Sequence, residues 1–204
     1  MRTRTKTVVG MTMTLALWGC DSDTSTTADP CCEELGADAQ LPDDSIYQLE
    51  SCWSDRTGKL RTLPEFRGEV SVVAMVFTHC AFACPQILAD LKAIEAELSE
   101  TTKPGVRFLL VSMDSERDTP AVLDAWARNN NLGADRWTLL HGEAPDVREL
   151  AATLGVKFKQ QPNGDFSHSN LITVLDRQGR VVHRQTGLNA PIAPTVAQLE
   201  ALNQ

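Results

Sequence analysis

The chain alternates between short apolar runs and segments whose apolar residues recur at helical spacing. Two mainly apolar runs, 70–78, which is rich in β-branched residues, and 106–113, predict buried strands. Shorter apolar or alternating stretches predict further strands at 45–53, 59–63, 137–140, 169–175 and 181–185. Helical spacing, together with prolines at expected first turns, predicts helices near 85–98, 121–130, 145–154 and 194–202.

The order of these elements predicts the fold class. Strands that alternate with helices imply a central sheet with right-handed crossovers, and a final β-hairpin and helix after such units is the layout of a thioredoxin-like fold. We therefore expect an α/β protein with a central mixed sheet flanked by helices and an N-terminal β-hairpin. The length favours one domain over residues 45–204.

The first residues have the pattern of an export signal. A basic start is followed by the apolar stretch 8–18, which is too short to span a bilayer comfortably. It ends in Leu17-Trp18-Gly19-Cys20, which resembles the bacterial lipobox. Cys20 is then expected to be the lipidated first residue of the mature protein; the alternative is an ordinary cleaved signal with Cys20 incidental.

Residues 20–44 are polar and acidic and predict a flexible tether between the anchor and the fold. Asp21, next to Cys20, resembles the signal that retains lipoproteins on the inner membrane of Gram-negative bacteria. The expected location is therefore the periplasmic face of the bacterial cell envelope. The net charge of −8 argues against a nucleic acid or an anionic membrane surface as partner.

Two cysteines follow the first buried run. Cys80 and Cys84 are four residues apart and Pro85 comes next, at the carboxyl end of a strand, where open α/β sheets place their sites. The first turn of a helix favours the thiolate form of a cysteine. The pair can be a structural disulfide, a redox-active dithiol or two thiolate ligands of a soft metal ion. Two thiolates suit Cu(I), and an added imidazole gives a site that also tolerates Cu(II).

Three segments of the chain resemble motifs of the Sco (SenC) family, in the same order and within about residues 45–190. They are Phe77-Thr78-His79-Cys80-x-x-x-Cys84-Pro85, then Val111-Ser112-Met113-Asp114-Ser115-Glu116-Arg117-Asp118-Thr119-Pro120, then Phe166-Ser167-His168-Ser169-Asn170 followed by Leu175-Asp176-Arg177-Gln178-Gly179.

The resemblance implies a membrane-tethered thioredoxin fold that binds one copper ion through Cys80, Cys84 and His168. It also implies a metallochaperone that delivers copper to the CuA centre of cytochrome c oxidase subunit II, or keeps the cysteines of that centre reduced. Oxidation of Cys80 and Cys84 to a disulfide would abolish copper binding, so the redox state would control the carrier.

The chain also departs from the family pattern. The residues between the two cysteines are Ala81-Phe82-Ala83, where a proline and an acidic residue are common, and Ser167 stands where an aspartate is frequent. Cys31, Cys32 and Cys52 lie outside the pattern. One of the first two can pair with Cys52, which leaves one thiol over, and a second copper-handling site is the alternative.

Several polar residues have two interpretations. One interpretation is that Asp114, Glu116 and Asp118 line the mouth of the site. The other is that they are ordinary polar residues of a loop, with Asp118 capping the helix that follows. His79 is expected to point away from Cys80. The two histidines without a motif, His141 and His183, are expected to be structural.

Three other functions remain open. A thiol–disulfide oxidoreductase would use Cys80 and Cys84 and would not need His168. A peroxiredoxin-like peroxidase is disfavoured, because residue 73 is valine where that class has proline. A purely structural lipoprotein would keep the disulfide closed permanently.

Overall fold

The computed structural model describes residues 41–204, which form a mixed sheet with helices. The strands are β1 (Cys52–Asp55), β2 (Leu60–Thr62), β3 (Val70–Val76), β4 (Val106–Ser112), β5 (Trp137–Gly142), β6 (Phe158–Gln160), β7 (Phe166–His168), β8 (Leu171–Leu175) and β9 (Val181–Thr186). The helices are α1 (Ala83–Glu97), α2 (Pro120–Asn129), α3 (Ala144–Leu154) and α4 (Ala193–Leu202).

The main sheet has seven strands in the order β2-β1-β5-β4-β3-β8-β9. The central strands β3, β4 and β5 run parallel, and the outer strands pair antiparallel. This arrangement confirms the predicted central mixed sheet and the N-terminal hairpin of β1 and β2. The ends of β3 and β4 meet at one edge of the sheet, and this edge carries the candidate site.

The core lies around β3, in which every residue is buried. A strand covered on both faces has no solvent side, so its sequence is continuously apolar rather than alternating. Trp137 on β5 stacks on Phe108 of β4, with ring centroids 4.5 Å apart, and belongs to this core. The scaffold under the site is therefore rigid.

The segment predicted as a strand at 45–53 is a strand only from Cys52 onward. Residues Ile46–Gln48 form a 3₁₀ turn instead, because the Ser45 hydroxyl accepts a hydrogen bond from the Tyr47 N–H at 3.1 Å. The Tyr47 side chain is buried, and its hydroxyl donates to the carbonyl of Phe66 at 3.0 Å. These contacts hold residues 46–48 in a turn, although the alternation of apolar and polar residues in 45–53 predicted an extended strand.

The sequence analysis did not predict the small hairpin of β6 and β7. Its strands pair antiparallel as a separate two-stranded sheet, with Phe158 opposite His168. The turn between them is closed by a 2.9 Å bond from the Gly164 N–H to the Gln161 carbonyl, and Gly164 has a left-handed φ of +84°. Because His168 is the last residue of β7, this hairpin determines where the imidazole lies relative to the two cysteines.

The predicted signal peptide, the lipidation of Cys20 and the tether 20–44 lie almost wholly outside the described residues. Within residues 41–204, no helix has the length and apolarity needed to cross a membrane. Cys52 is disulfide-bonded, as the sequence analysis allowed, and its predicted partners Cys31 and Cys32 lie outside the described residues.

Candidate metal centre

The two cysteines lie where β3 passes into α1. Cys80 is half-buried in the connecting loop, whose turn is closed by a 3.2 Å bond from the Cys80 N–H to the Phe77 carbonyl. Cys84 is the second residue of α1 and is 1% exposed. The pair therefore presents one accessible and one buried sulfur.

Backbone N–H groups hold both sulfur atoms in place. The N–H of Cys84 donates to Sγ of Cys80 at 3.3 Å, and the N–H of Phe77 donates to Sγ of Cys84 at 3.5 Å. The first of these bonds uses one of the free N–H groups that every helix N-terminus offers. Both residues are free thiols in this structure, so a disulfide between them stays a prediction for the oxidised protein.

Burial dominates the acid–base behaviour of Cys84. It raises the pKa of the Cys84 thiol well above its usual range, and the hydrogen bond from Phe77 opposes this only in part. The expectation that the helix terminus would favour a thiolate is therefore wrong for Cys84. A metal ion that binds this sulfur must displace its proton.

His168 faces the cysteine pair from β7. Its Nδ1 atom lies 3.2 Å from the carbonyl oxygen of Ser169, which can only accept a hydrogen bond. This contact favours the tautomer with the proton on Nδ1 and leaves the Nε2 lone pair available as a ligand. The imidazole also lies edge-on to the ring of Phe77, with centroids 6.0 Å apart.

The structure brings the three predicted ligands together. One sulfur from Cys80, one sulfur from Cys84 and one imidazole nitrogen from His168 all lie within 4.8 Å of one another. Two sulfurs and one nitrogen form a soft donor set, which suits copper or zinc rather than magnesium or calcium. The donors present therefore fit a single copper ion.

Cys80 and His168 line a cleft of about 400 Å³, whereas Cys84 is buried and is not part of its wall. Phe82, in the loop between the cysteines, stands at its rim and is 84% exposed. Ala81 is also exposed, and Phe166 closes the opposite wall against Phe77. The departure from the family pattern at 81–83 thus lies on the surface that a partner protein would meet.

Asp118 fixes the loop that carries Cys80. Its buried carboxyl group accepts a hydrogen bond from the Thr78 N–H at 2.9 Å and another from the Thr78 hydroxyl. It also accepts one from the Ser112 hydroxyl at 2.6 Å. Because the Thr78 N–H is used in this way, β3 ends at Val76, two residues earlier than predicted.

The predicted helix cap at Asp118 is wrong. The N-cap of α2 is Thr119, and the Asp118 carboxyl joins the ends of β3 and β4 instead. The alternation of the sequence could not show this, because the partners are 40 and 6 residues away in the chain.

A second group of potential ligands lies nearby. Atoms of His79, Asp114 and Asp118 lie within 4.8 Å of one another. Asp114 is paired with Arg117, however, and Asp118 accepts its three hydrogen bonds, so both carboxyl groups have protein partners. His79 is exposed, its Nδ1 atom lies 3.9 Å from a carboxyl oxygen of Asp118, and it lines the same cleft as Cys80.

The two remaining histidines lie away from this site. His141 is half-buried on β5, opposite Ser54 of β1. His183 is on β9, with its Nε2 atom 3.0 Å from the Thr195 hydroxyl.

The titration of His168 gives a first test of this environment. Burial lowers the pKa of the His168 imidazole below its ordinary value, and the contact with Ser169 opposes the shift. The unfolded chain takes up this proton near pH 6.5. Folded His168 takes up its proton only at a lower pH, so this residue lowers the stability of the fold as the pH drops below about 6.5. We expect an NMR titration of the His168 ring to have its midpoint below that of an unstructured histidine.

Comparison with known proteins places the whole fold in one family. The SCO1/SenC family model matches residues 48–203. A SCO1 protein homolog of Bacillus subtilis is 25% identical over 167 residues, which cover 79% of this chain and 86% of the relative. The matched region includes the cleft and both elements that carry its ligands.

Two solved structures show the same fold. ScoI of Bradyrhizobium japonicum, with copper bound, has a TM-score of 0.64 and 24% identity, and covers 74% of this chain and 96% of its own. BsSco, a member of the Sco family of cytochrome c oxidase assembly proteins with a disulfide switch, is the second structure. It has a TM-score of 0.65 and 24% identity, and the match covers 74% of this chain and 90% of BsSco. The predicted thioredoxin-like fold is confirmed by this likeness.

Proposed function

The chain belongs to the SCO1/SenC family, and on that premise we propose that it is a copper-binding protein of the bacterial cell envelope. It holds one copper ion through Cys80, Cys84 and His168. It delivers that ion to the CuA site of cytochrome c oxidase, or reduces the thiols of that site. The observation that carries the proposal is the convergence of two sulfur atoms and one imidazole nitrogen within 4.8 Å.

The donor set accounts for both copper oxidation states. Two cysteine sulfurs alone satisfy Cu(I), which prefers soft ligands and low coordination number. The imidazole of His168 adds a third donor that Cu(II) also accepts. The contact between Nδ1 and the Ser169 carbonyl orients the ring and directs Nε2 at the ion.

The exposure of the ligands suggests how the ion leaves. Cys80 and His168 are half-buried and line the open cleft, whereas Cys84 is buried beneath them. Ligands of a recipient protein would therefore displace His168 and Cys80 first and Cys84 last. Phe82 at the rim provides an apolar contact for that recipient.

The proposed location follows from the first residues of the chain. A signal at 1–19 would direct export, and acylation of Cys20 would anchor the protein to the membrane, by expectation the inner membrane. Residues 21–44 would then tether the fold on the periplasmic side, where it meets membrane-bound cytochrome c oxidase.

Replacing His168 with alanine tests the three-ligand site. We expect His168→Ala to retain Cu(I) on the two sulfurs, with affinity lower by at least about tenfold. It should also lose the imidazole contribution to the Cu(II) absorption and EPR spectra. Chelator competition measures the affinity, and His183→Ala, which removes a histidine remote from the cleft, is the matched control. Unchanged affinity and spectra in His168→Ala would exclude the model.

A thiol–disulfide oxidoreductase is the second candidate. The N–H of Cys84 donates to Sγ of Cys80, so the two thiols are neighbours and one of them is accessible. An oxidoreductase would keep its activity toward client disulfides in His168→Ala, whereas a copper carrier would lose transfer to a CuA-containing domain. Measuring both reactions on the same variant separates the two functions.

A further inference from the structure

We propose that Arg117 is a positioning residue that holds the His168 hairpin against the cysteine pair. The inference deepens the proposed function and rests on it for the copper readout alone. Arg117 lies in the loop between β4 and α2, and it contacts neither cysteine nor the imidazole in the described structure. Its effect on the site therefore passes through the hairpin.

The guanidinium group of Arg117 bridges two parts of the fold. Its Nε atom is ion-paired with the carboxyl group of Asp114, whose side chain is 1% exposed. Its Nη2 atom donates to the carbonyl of Gly164 in the turn of the β6–β7 hairpin. The backbone N–H of Arg117 also donates to Asp114, at 3.1 Å, so the side chain is fixed at its base. The planar guanidinium serves the two acceptors in a fixed geometry, which the compact ammonium group of a lysine does not provide.

One hydrogen bond ties the hairpin to the rest of the fold. Within the described chain, the bond to Gly164 is the one hydrogen bond between residues 158–168 and the protein outside the hairpin and its base. The other contacts are between rings or apolar groups: Phe158 and Phe166 pack against the core, and the rings of Phe166 and His168 lie edge-on to Phe77. A separate two-stranded hairpin is marginally stable in water. Its placement therefore depends on these packing contacts at its base and on the Arg117 bridge at its tip.

The location of the bridge determines what its loss would do. Gly164 is at the tip of the hairpin, and His168 is at the end of β7 that leads back to the main sheet. Release of the tip removes one restraint on β7 and lets the strand fluctuate, which loosens the packing of Phe166 and His168 on Phe77. Arg117 thus helps to hold the third ligand near the sulfurs.

The test variant must not leave a buried charge without a partner. We therefore pair Arg117→Met with Asp114→Asn. The matched control is Arg128→Met with Asp124→Asn, which removes another arginine–aspartate pair, on the exposed surface of α2. Circular dichroism and Tm identify folded samples, and Arg117→Lys provides a second variant. In Arg117→Lys the Asp114 carboxyl keeps a charged partner, while the compact ammonium group does not reproduce the two fixed guanidinium contacts to Asp114 and to the Gly164 carbonyl.

The first readout needs no metal. We expect amide hydrogen exchange in the 158–168 hairpin to be faster by about tenfold in the Arg117 variant and unchanged in the Arg128 variant. The NMR contact between the rings of Phe77 and His168 should weaken in the same sample. Normal exchange and an intact ring contact in a folded Arg117 variant would overturn the inference, whatever the copper chemistry.

The second readout is copper affinity in a double-mutant cycle. We expect the Arg117 variant to lower affinity by about tenfold in the wild-type background, by no more than His168→Ala does, and to have no further effect in His168→Ala. An equal loss in both backgrounds would contradict action through His168. If wild type and His168→Ala bind copper equally, the proposed function fails instead, and the hydrogen-exchange result still decides the role of Arg117.

Discussion

Replacing Cys84 with serine is expected to abolish tight copper binding while leaving the fold intact. The Cys84 sulfur is buried beneath the cleft. Cys80 is already a ligand, and among the described residues no further cysteine lies in the group that could take the place of Cys84. Serine has nearly the same shape and can accept the hydrogen bond from the Phe77 N–H, but its hard oxygen is a poor ligand for Cu(I). The loss should exceed about 100-fold, the upper end of what removing an outer-shell partner causes.

Chelator competition and metal analysis of the Cu(I)-loaded protein measure this effect, and the thermal unfolding midpoint verifies the fold. A triple variant with Cys31→Ser, Cys32→Ser and Cys52→Ser removes every cysteine of the folded chain outside the pair and Cys20, leaves no new free thiol at Cys52, and is expected to keep one tightly bound copper ion. If that control loses copper and Cys84→Ser retains it, the ion is bound at the other cysteines and the proposed centre is incorrect.

The strands of the scaffold could be predicted because burial on both faces leaves a simple pattern. β3 is buried along its whole length and β4 at six of its seven residues, so both are mainly apolar runs, and the valines of β3 favour a strand over a helix. The site was predictable only in part. Cys80 and Cys84 are marked by their spacing after β3, whereas His168 has no local pattern and was identified through the family resemblance.

The hairpin and the buried carboxyl groups could not be predicted in the same way. β6 and β7 have three residues each, too few to show an alternating period, although the aromatic residues on either side of the Pro162-Asn163-Gly164 turn are typical of a short hairpin. Asp118 and Arg117 have their partners in other elements. Their roles depend on the packing of β3, β4 and the hairpin, which sequence spacing does not encode.

Replacing Asp118 with alanine is expected to destabilise the protein more than any change on its surface. The substitution leaves three donors without an acceptor: the Thr78 N–H, the Thr78 hydroxyl and the Ser112 hydroxyl. A buried polar group without a partner costs about 1–3 kcal/mol, so we expect a loss of about 3 kcal/mol in the free energy of unfolding. For a domain of this size that lowers Tm by roughly 10 °C.

The same substitution should also weaken copper binding, although Asp118 is not a proposed ligand. Thr78 is two residues from Cys80, so release of its N–H frees the loop that positions the accessible sulfur. Asp124→Ala is the matched control, because it removes a carboxyl group from an exposed pair on α2 and should change stability by less than about 1 kcal/mol. Urea unfolding and Cu(I) competition on both variants test this account. Equal stability of the two variants would show that the carboxyl group of Asp118 does not hold the ends of β3 and β4 together.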